Sequence, residues 1–364
     1  MAFENGSHIV EGMHLNILTS LDVLSRNTAA SLVADEFPHV PVVLHDLLDG
    51  GVVMRRIHSD DQLIERESTV LEHGCLSCTV RFDLAPALLH LAAAGETRAI
   101  VGLPPGTTAE NAIDGLRAVA PGVFTVDTVA LAARPEDVED QLWDHHTLFG
   151  SGYTAVPEDS RTPGEFLMGE LLFADTILTT SSELIPDDAA LSARGLQLLR
   201  ELAPHARLVP SDGLDAATLG SHSSEQARNR NLPGAVLTPT LSSQPFRTVE
   251  HRVSRPLHPE RFQTALGAIS VGCCFVRGSA WIAGMLDLRV AVHGVGPRIS
   301  LGDGGAWGAE PPQDELCRGT HLALTGDDLD DDDIAGLLDA CALTDEELES
   351  ARITFPAPFA PEQH

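Results

Sequence analysis

Two cysteines three residues apart, in "VLEHGCLSCTVRFDL" (70–84), are the residue types and spacing most able to do chemistry. A C-x-x-C turn aims two sulfurs at one point, which is half of a tetrahedral zinc site. The same pair stands just ahead of an expected helix, where the helix dipole and Arg81 would lower a thiol pKa and favour redox work. Plain packing is the third reading, because buried cysteine behaves as a small hydrophobe. Packing is the reading for Cys273, Cys274, Cys317 and Cys341. For Cys75 and Cys78 metal, redox and packing all stay open. "DHH" (144–146) offers more metal donors, but adjacent histidines on a helix face different directions, which predicts plain surface placement. No G-x-S-x-G elbow occurs, so no covalent nucleophile is proposed. The acid run "DDLDDDDIAGLLDA" (327–340) lacks the Gly and Glu spacing of a calcium loop, and reads as a helix start with aspartates on the dipole.

Composition narrows the choice. The 364 residues carry a formal net charge of -30. That field repels phosphate backbones and attracts cations, which excludes nucleic acid as a partner. All 23 basic residues are arginine; there is no lysine. A Schiff base, a lysine general base and a phosphate-loop lysine are therefore impossible. No apolar run approaches the ~20 residues that span a bilayer. No export signal is legible at the N-terminus, so a reducing cytoplasm is expected, where C-x-x-C points to metal or redox chemistry.

The elements that must position these residues alternate. β-rich runs at 14–20, 40–46, 68–73, 97–103, 122–128, 174–180 and 206–211 are separated by stretches of helical period at 27–37, 81–95, 109–120, 161–173 and 187–203. Such alternation predicts a mostly parallel sheet with helices on both faces. Residues 212–246 are rich in Ser, Asn, Gly and Pro and read as a linker. From 247 onward a strand, a helix opened by Pro259, several short strands and an acidic helix predict a smaller α+β domain. The expected division is 1–211, 212–246 and 247–364.

Four segments in this order resemble the CobW family of P-loop GTPases and metallochaperones. They are "EHGCLSC" (72–78), "TPGEFLMGELLFADTILTTSSEL" (162–184), "SRPLHPERF" (254–262) and "DDLDDDDIAGLLDACALTDEELES" (327–350). The resemblance implies a P-loop-type α/β domain followed by a CobW C-terminal domain. It also implies a metal site, with zinc as the expected ion. Where the family has C-x-C-C, Ser77 replaces the middle cysteine and leaves Cys75 and Cys78. The family's switch segment corresponds to "LHDLLDGG" (44–51), which supplies His45, Asp46 and Asp49 as further donors beside His73.

The nucleotide motifs depart from the family pattern. The G-x-x-x-x-G-K-[ST] loop corresponds to Ser20–Asn27, with Ser20 and Ser25 at the glycines, Arg26 at the lysine and Asn27 at the magnesium hydroxyl. Thr28 offers a hydroxyl one position late. The guanine-reading N-K-x-D corresponds to Thr180–Glu183, with Glu183 at the aspartate. The acid before the switch glycine, Gly106, is Gly102. Cβ atoms and a guanidinium spoil a cradle built from backbone N–H groups. The expectation is a metal-binding protein in which GTP and magnesium no longer bind. The alternatives are an interaction module pairing with an intact homologue, and a residual GTPase using Arg26 and Thr28. A site shared between two subunits of a homo-oligomer is also open.

Overall fold

The computed structural model describes residues 12–71, 76–181, 186, 188–242, 244–307 and 318–351. The chain starts with β1 (Met13–Ser20), α1 (Val23–Glu36), β2 (Val42–Leu48), β3 (Val52–Ser59) and β4 (Gln62–Val70). A short α2 (Leu76–Thr79) runs through a π-helical turn (Val80–Leu84) into α3 (Ala85–Ala93). Then come β5 (Arg98–Gly102), α4 (Ala109–Val119), β6 (Phe124–Ala133), α5 (Val138–Trp143), α6 (Pro163–Phe173), β7 (Thr176–Thr179), α7 (Ala189–Leu202), β8 (Arg207–Pro210) and α8 (Ser224–Asn231). The remainder is β9 (Phe246–Val253), α9 (Pro259–Gly272), β10 (Cys273–Ala280), β11 (Leu288–Val295), β12 (Arg298–Ala306), β13 (Thr320–Asp327), α10 (Asp331–Asp339) and α11 (Asp345–Ala351).

The first eight strands form one sheet in the order β4-β3-β2-β5-β1-β6-β7-β8. Pairing is parallel from β2 through β8 and antiparallel for β3 and β4. β1 shows why the sheet is buried on both faces. Met13, Leu15 and Ile17 enter one apolar cluster while Leu18 enters the cluster on the other face. That is the pattern of a strand covered by helices above and below. The expected α/β class and mostly parallel sheet are found. The hairpin of β3 and β4 extends it beyond what the runs at 40–46 and 68–73 suggest.

The remaining five strands form an antiparallel sheet, β12-β11-β10-β13-β9. Phe246, Cys274, Phe275 and Val295 from this sheet join the apolar cluster of the first. Residues 212–246, expected as a linker, carry α8 and pack against the first sheet. Gly220 N–H donates to Thr176 Oγ1 at 2.8 Å, His222 N–H to the Asp127 carbonyl at 2.8 Å, and Ala227 is fully buried. The acidic start of α10 is a cap, as expected: the Asp330 carboxylate accepts from Asp332 N–H and Asp333 N–H.

Candidate metal centre and the altered phosphate loop

The loop between β1 and α1 is short. β1 ends at Ser20 and α1 begins at Val23, so most of the 20–27 stretch is already helical. The helix start is closed by the chain itself. Asp22 is its N-cap, and its Oδ1 accepts Ser25 N–H at 2.7 Å. An unfilled helix N-terminus attracts phosphate; here a carboxylate fills it. Ser20, Ser25 and Arg26 are buried, and Asn27 and Thr28 are partly buried along α1.

Arg26 is wholly buried, and every hydrogen bond it makes is internal. Its Nη1 donates to the carbonyls of His45 at 2.5 Å and Leu103 at 3.1 Å. Its Nη2 donates to Asp46 Oδ1 at 2.7 Å and to Asn27 Oδ1 at 2.9 Å. Burial lowers the arginine's pKa from its usual value, and the paired Asp46 carboxylate works against that. The side chain fits because position 102 is glycine. A Cβ there would lie 3.1 Å from Arg26 Cδ and 2.6 Å from Leu44 Cδ2. Arg26 and Gly102 are thus packed against each other. A carboxylate, that of Asp22, caps the helix start, and the Arg26 guanidinium is bonded inside the protein. Glu183 lies outside the described residues; Thr180, at the start of its motif, is buried with its N–H on the Ala133 carbonyl at 3.0 Å.

The expected metal donors separate in the structure. Asp46 faces two arginines, Arg26 at 2.7 Å and Arg56 at 2.8 Å, so its oxygens are engaged. Asp49 is exposed on the turn after β2. His45 is the one that is sequestered. Its ring is buried, with Nε2 2.8 Å from Asp83 Oδ1. Arg55 Nη1 donates to the same Asp83 oxygen at 2.6 Å, and Arg55 also pairs with Glu65 and Glu67. Burial would raise the Asp83 pKa, but hydrogen bonds from His45 and Arg55 bring it below the ordinary carboxylate value. Burial lowers the His45 pKa, outweighing Asp83. A carboxylate can only accept, so the neutral imidazole donates its Nε2–H and keeps a lone pair on Nδ1. Among the described residues that buried Nδ1 has no hydrogen-bond partner.

Asp83 sits in the π-helical turn that continues the helix carrying Cys78. π turns inside helices are frequent at functional sites. Cys78 is partly buried and disulfide-bonded. Cys75 and His73 lie outside the described residues. Cys273, Cys274 and Cys341 are free, buried thiols; burial pushes Cys273 up to about 12 and raises the other two, which fits packing and disfavours thiolate chemistry. Cys317 lies outside the described residues. Sequence reading does not reach Asp83 or Arg55, which are 38 and 10 residues from His45 in the chain. Asp22 had a signal that went unused, an Asp three residues ahead of Ser25 at a helix start.

Comparison with known proteins now has a geometry to meet. Residues 246–342 match the cobalamin synthesis protein cobW C-terminal domain. A protein named zinc chaperone Rv0106, from Mycobacterium tuberculosis, is 27% identical over 348 residues, covering 85% of this chain and 83% of that protein. The second sheet and its helices are a CobW C-terminal domain. The zinc-regulated GTPase metalloprotein activator 1 of Dictyostelium discoideum is 21% identical over 301 residues, covering 74% of this chain and 63% of that protein. The Zn(II)-bound YjiA GTPase from E. coli aligns with a TM-score of 0.37 at 11% identity, covering 91% of this chain and 99% of that one.

Proposed function

We propose that this chain is a zinc-handling protein that captures its ion without a bound nucleotide. Zinc is cargo in this reading. Cys75 and Cys78, reduced to thiolates, supply two sulfur donors, and His45 Nδ1 supplies a nitrogen. A fourth position stays open to water or to a client's ligand. The observation that carries the reading is the buried His45, fixed by Asp83 with Nδ1 left unpartnered among the described residues. A second partner on the far nitrogen is how metal-ligating histidines are oriented and made more basic. Asp46 has another task, holding Arg26 and Arg56, and Asp49 is left on the surface turn. The names of the zinc chaperone and zinc-regulated relatives agree with this cargo.

The nucleotide-independent part is supported by Arg26. In a nucleotide switch, phosphate and its metal join the loop, the switch segment and the segment after the next strand. Here one side chain makes those links, from α1 to the His45 carbonyl and Asp46, and to the Leu103 carbonyl. The backbone of the metal-site histidine is therefore held by the residue that replaces the phosphate-loop lysine.

The test is zinc content after loading in the presence of a dithiol, which converts a disulfide into two thiols and is itself oxidised to the cyclic disulfide. The expected result is a thiolate-bound zinc in the reduced protein. It should be lost in Cys75→Ser/Cys78→Ser, with affinity falling ~10–100-fold in His45→Ala. Equal zinc content in the reduced wild type and the cysteine variant would remove the reading.

A further inference from the structure

α5 ends at Trp143, and Asp144 leaves it in extended conformation, with φ -67 and ψ 117. The histidines expected on a helix are therefore on a bend, and this reverses the expectation that they diverge. The rings of His145 and His146 face each other with centroids 4.1 Å apart and planes tilted by 34°. His146 Nδ1 is 2.9 Å from Asp144 Oδ1, and one donor atom from each of the three residues lies within 4.8 Å of the other two. Asp144 is held in place: Oδ2 accepts the Ser151 hydroxyl at 2.5 Å, and Oδ1 accepts the His146 N–H at 2.9 Å. Burial works to raise its pKa, but the Ser151 and His146 donors bring it below the ordinary value.

The partners of this carboxylate differ from those of several others. Asp46, Asp83, Asp127 and Asp159 each pair with arginine, whereas among the described residues Asp144 pairs with no arginine. The local field is also acidic. Asp22, Asp137 and Asp144, from three different segments, all act on the Tyr153 hydroxyl, whose pKa is raised by burial and then by these carboxylates.

We propose that Asp144, His145 and His146 form a second cation site, separate from the cysteine centre, for a divalent transition ion of the zinc type. Two imidazoles and one carboxylate are the donor set that such an ion accepts, with a further position left for water. Magnesium and calcium, which take oxygen ligands, are disfavoured there. The site also adjoins the cysteine helix. Leu148, two residues after His146, and Leu76, next to Cys75 in the chain, both lie within 4 Å of the place where Gly106 would carry a Cβ.

The experiment is cobalt(II) titration of the reduced full chain, with zinc stoichiometry by equilibrium dialysis. Cobalt bound to thiolate gives a charge-transfer band, and cobalt bound to imidazole and carboxylate does not, so the two sites are read separately. His145→Ala/His146→Ala should bind one ion fewer per chain and keep the charge-transfer band. Asp144→Asn should weaken the non-thiolate site by ~10-fold or more. Cys75→Ser/Cys78→Ser should lose the band and keep the other ion. The site is refuted if the histidine variant, folded by circular dichroism, binds as many ions as the wild type.

Discussion

Arg26 and Glu170 are the two residues whose burial makes sharp predictions. Arg26→Ala would strip Asp46 of one of its two arginines and leave the His45 and Leu103 carbonyls without their guanidinium partner inside the protein. Breaking one half of a buried pair costs ~3–5 kcal/mol, so a loss of that size is expected in urea unfolding. Arg26→Lys should recover only part of it, because an ammonium does not reproduce the fork of bonds. Glu170, on α6, is fully buried, and its carboxyl accepts the Ala109 N–H at the start of α4 at 3.1 and 3.3 Å. Burial pushes its pKa from 4.5 up to about 7. A carboxyl that binds its proton more tightly when folded stabilises fully below the unfolded value. That contribution is lost as pH rises through the folded value. Stability should thus fall between pH 4.5 and about 7, by up to ~3 kcal/mol. Glu170→Gln should remove that slope and be the more stable protein at pH 8; unfolding curves across pH check it. The sequence revealed that Arg26 stands where a lysine belongs. It did not reveal where the guanidinium goes, because its partners at 45, 46 and 103 meet only when β2 and β5 pair with each other.

Among the elements, helix boundaries and docking decide the site. α7 packs with Gly195 against the turn at Pro135, where an added Cβ would sit 1.8 Å from the Pro135 carbonyl oxygen. Gly195→Ala should therefore destabilise the fold by ~1–3 kcal/mol or more, although alanine is the better helix former, and thermal unfolding measures it. The alternation of strands and helices was readable because the strands of the first sheet are apolar runs. The β3–β4 hairpin was not. Its strands, "VVMRRIHS" and "QLIERESTV", mix arginine and glutamate with apolar residues, and β4 is almost wholly exposed at the sheet edge. Charged edge strands of this kind protect a sheet from pairing with another chain and hide its period from sequence reading. The Asp144 bend was hidden for a different reason: neither Gly nor Pro follows α5 closely to mark where it stops. The acidic α10 was legible, since its capping aspartate precedes its apolar positions in the usual order.

At the scale of the whole molecule, two sheets share one apolar cluster and a polar clamp. Gln197 on α7 donates to the Phe246 carbonyl at 2.8 Å and accepts the Phe246 N–H at 2.9 Å. Gln197→Ala would leave both backbone groups unpaired in a buried junction, at ~1–3 kcal/mol each; a lower unfolding midpoint is expected by calorimetry. The two-sheet plan was readable from composition, because the run of short strands after residue 247 differs from the alternation before it. The strap of 212–246 was not, since backbone groups of Gly220 and His222 make its hydrogen bonds to β6 and β7, and these carry no side-chain signal. In the function proposed above, the Arg26 side chain joins α1 to the backbone of the metal-binding His45. Coupling between two sites is reciprocal, so the proposed nucleotide-independent capture requires that GTP leave metal affinity unchanged. The most direct measurement is the zinc affinity of the reduced full chain with and without GTP and magnesium. The same affinity in both conditions, with no nucleotide retained, is the result expected. A GTP-dependent change in zinc affinity would contradict it.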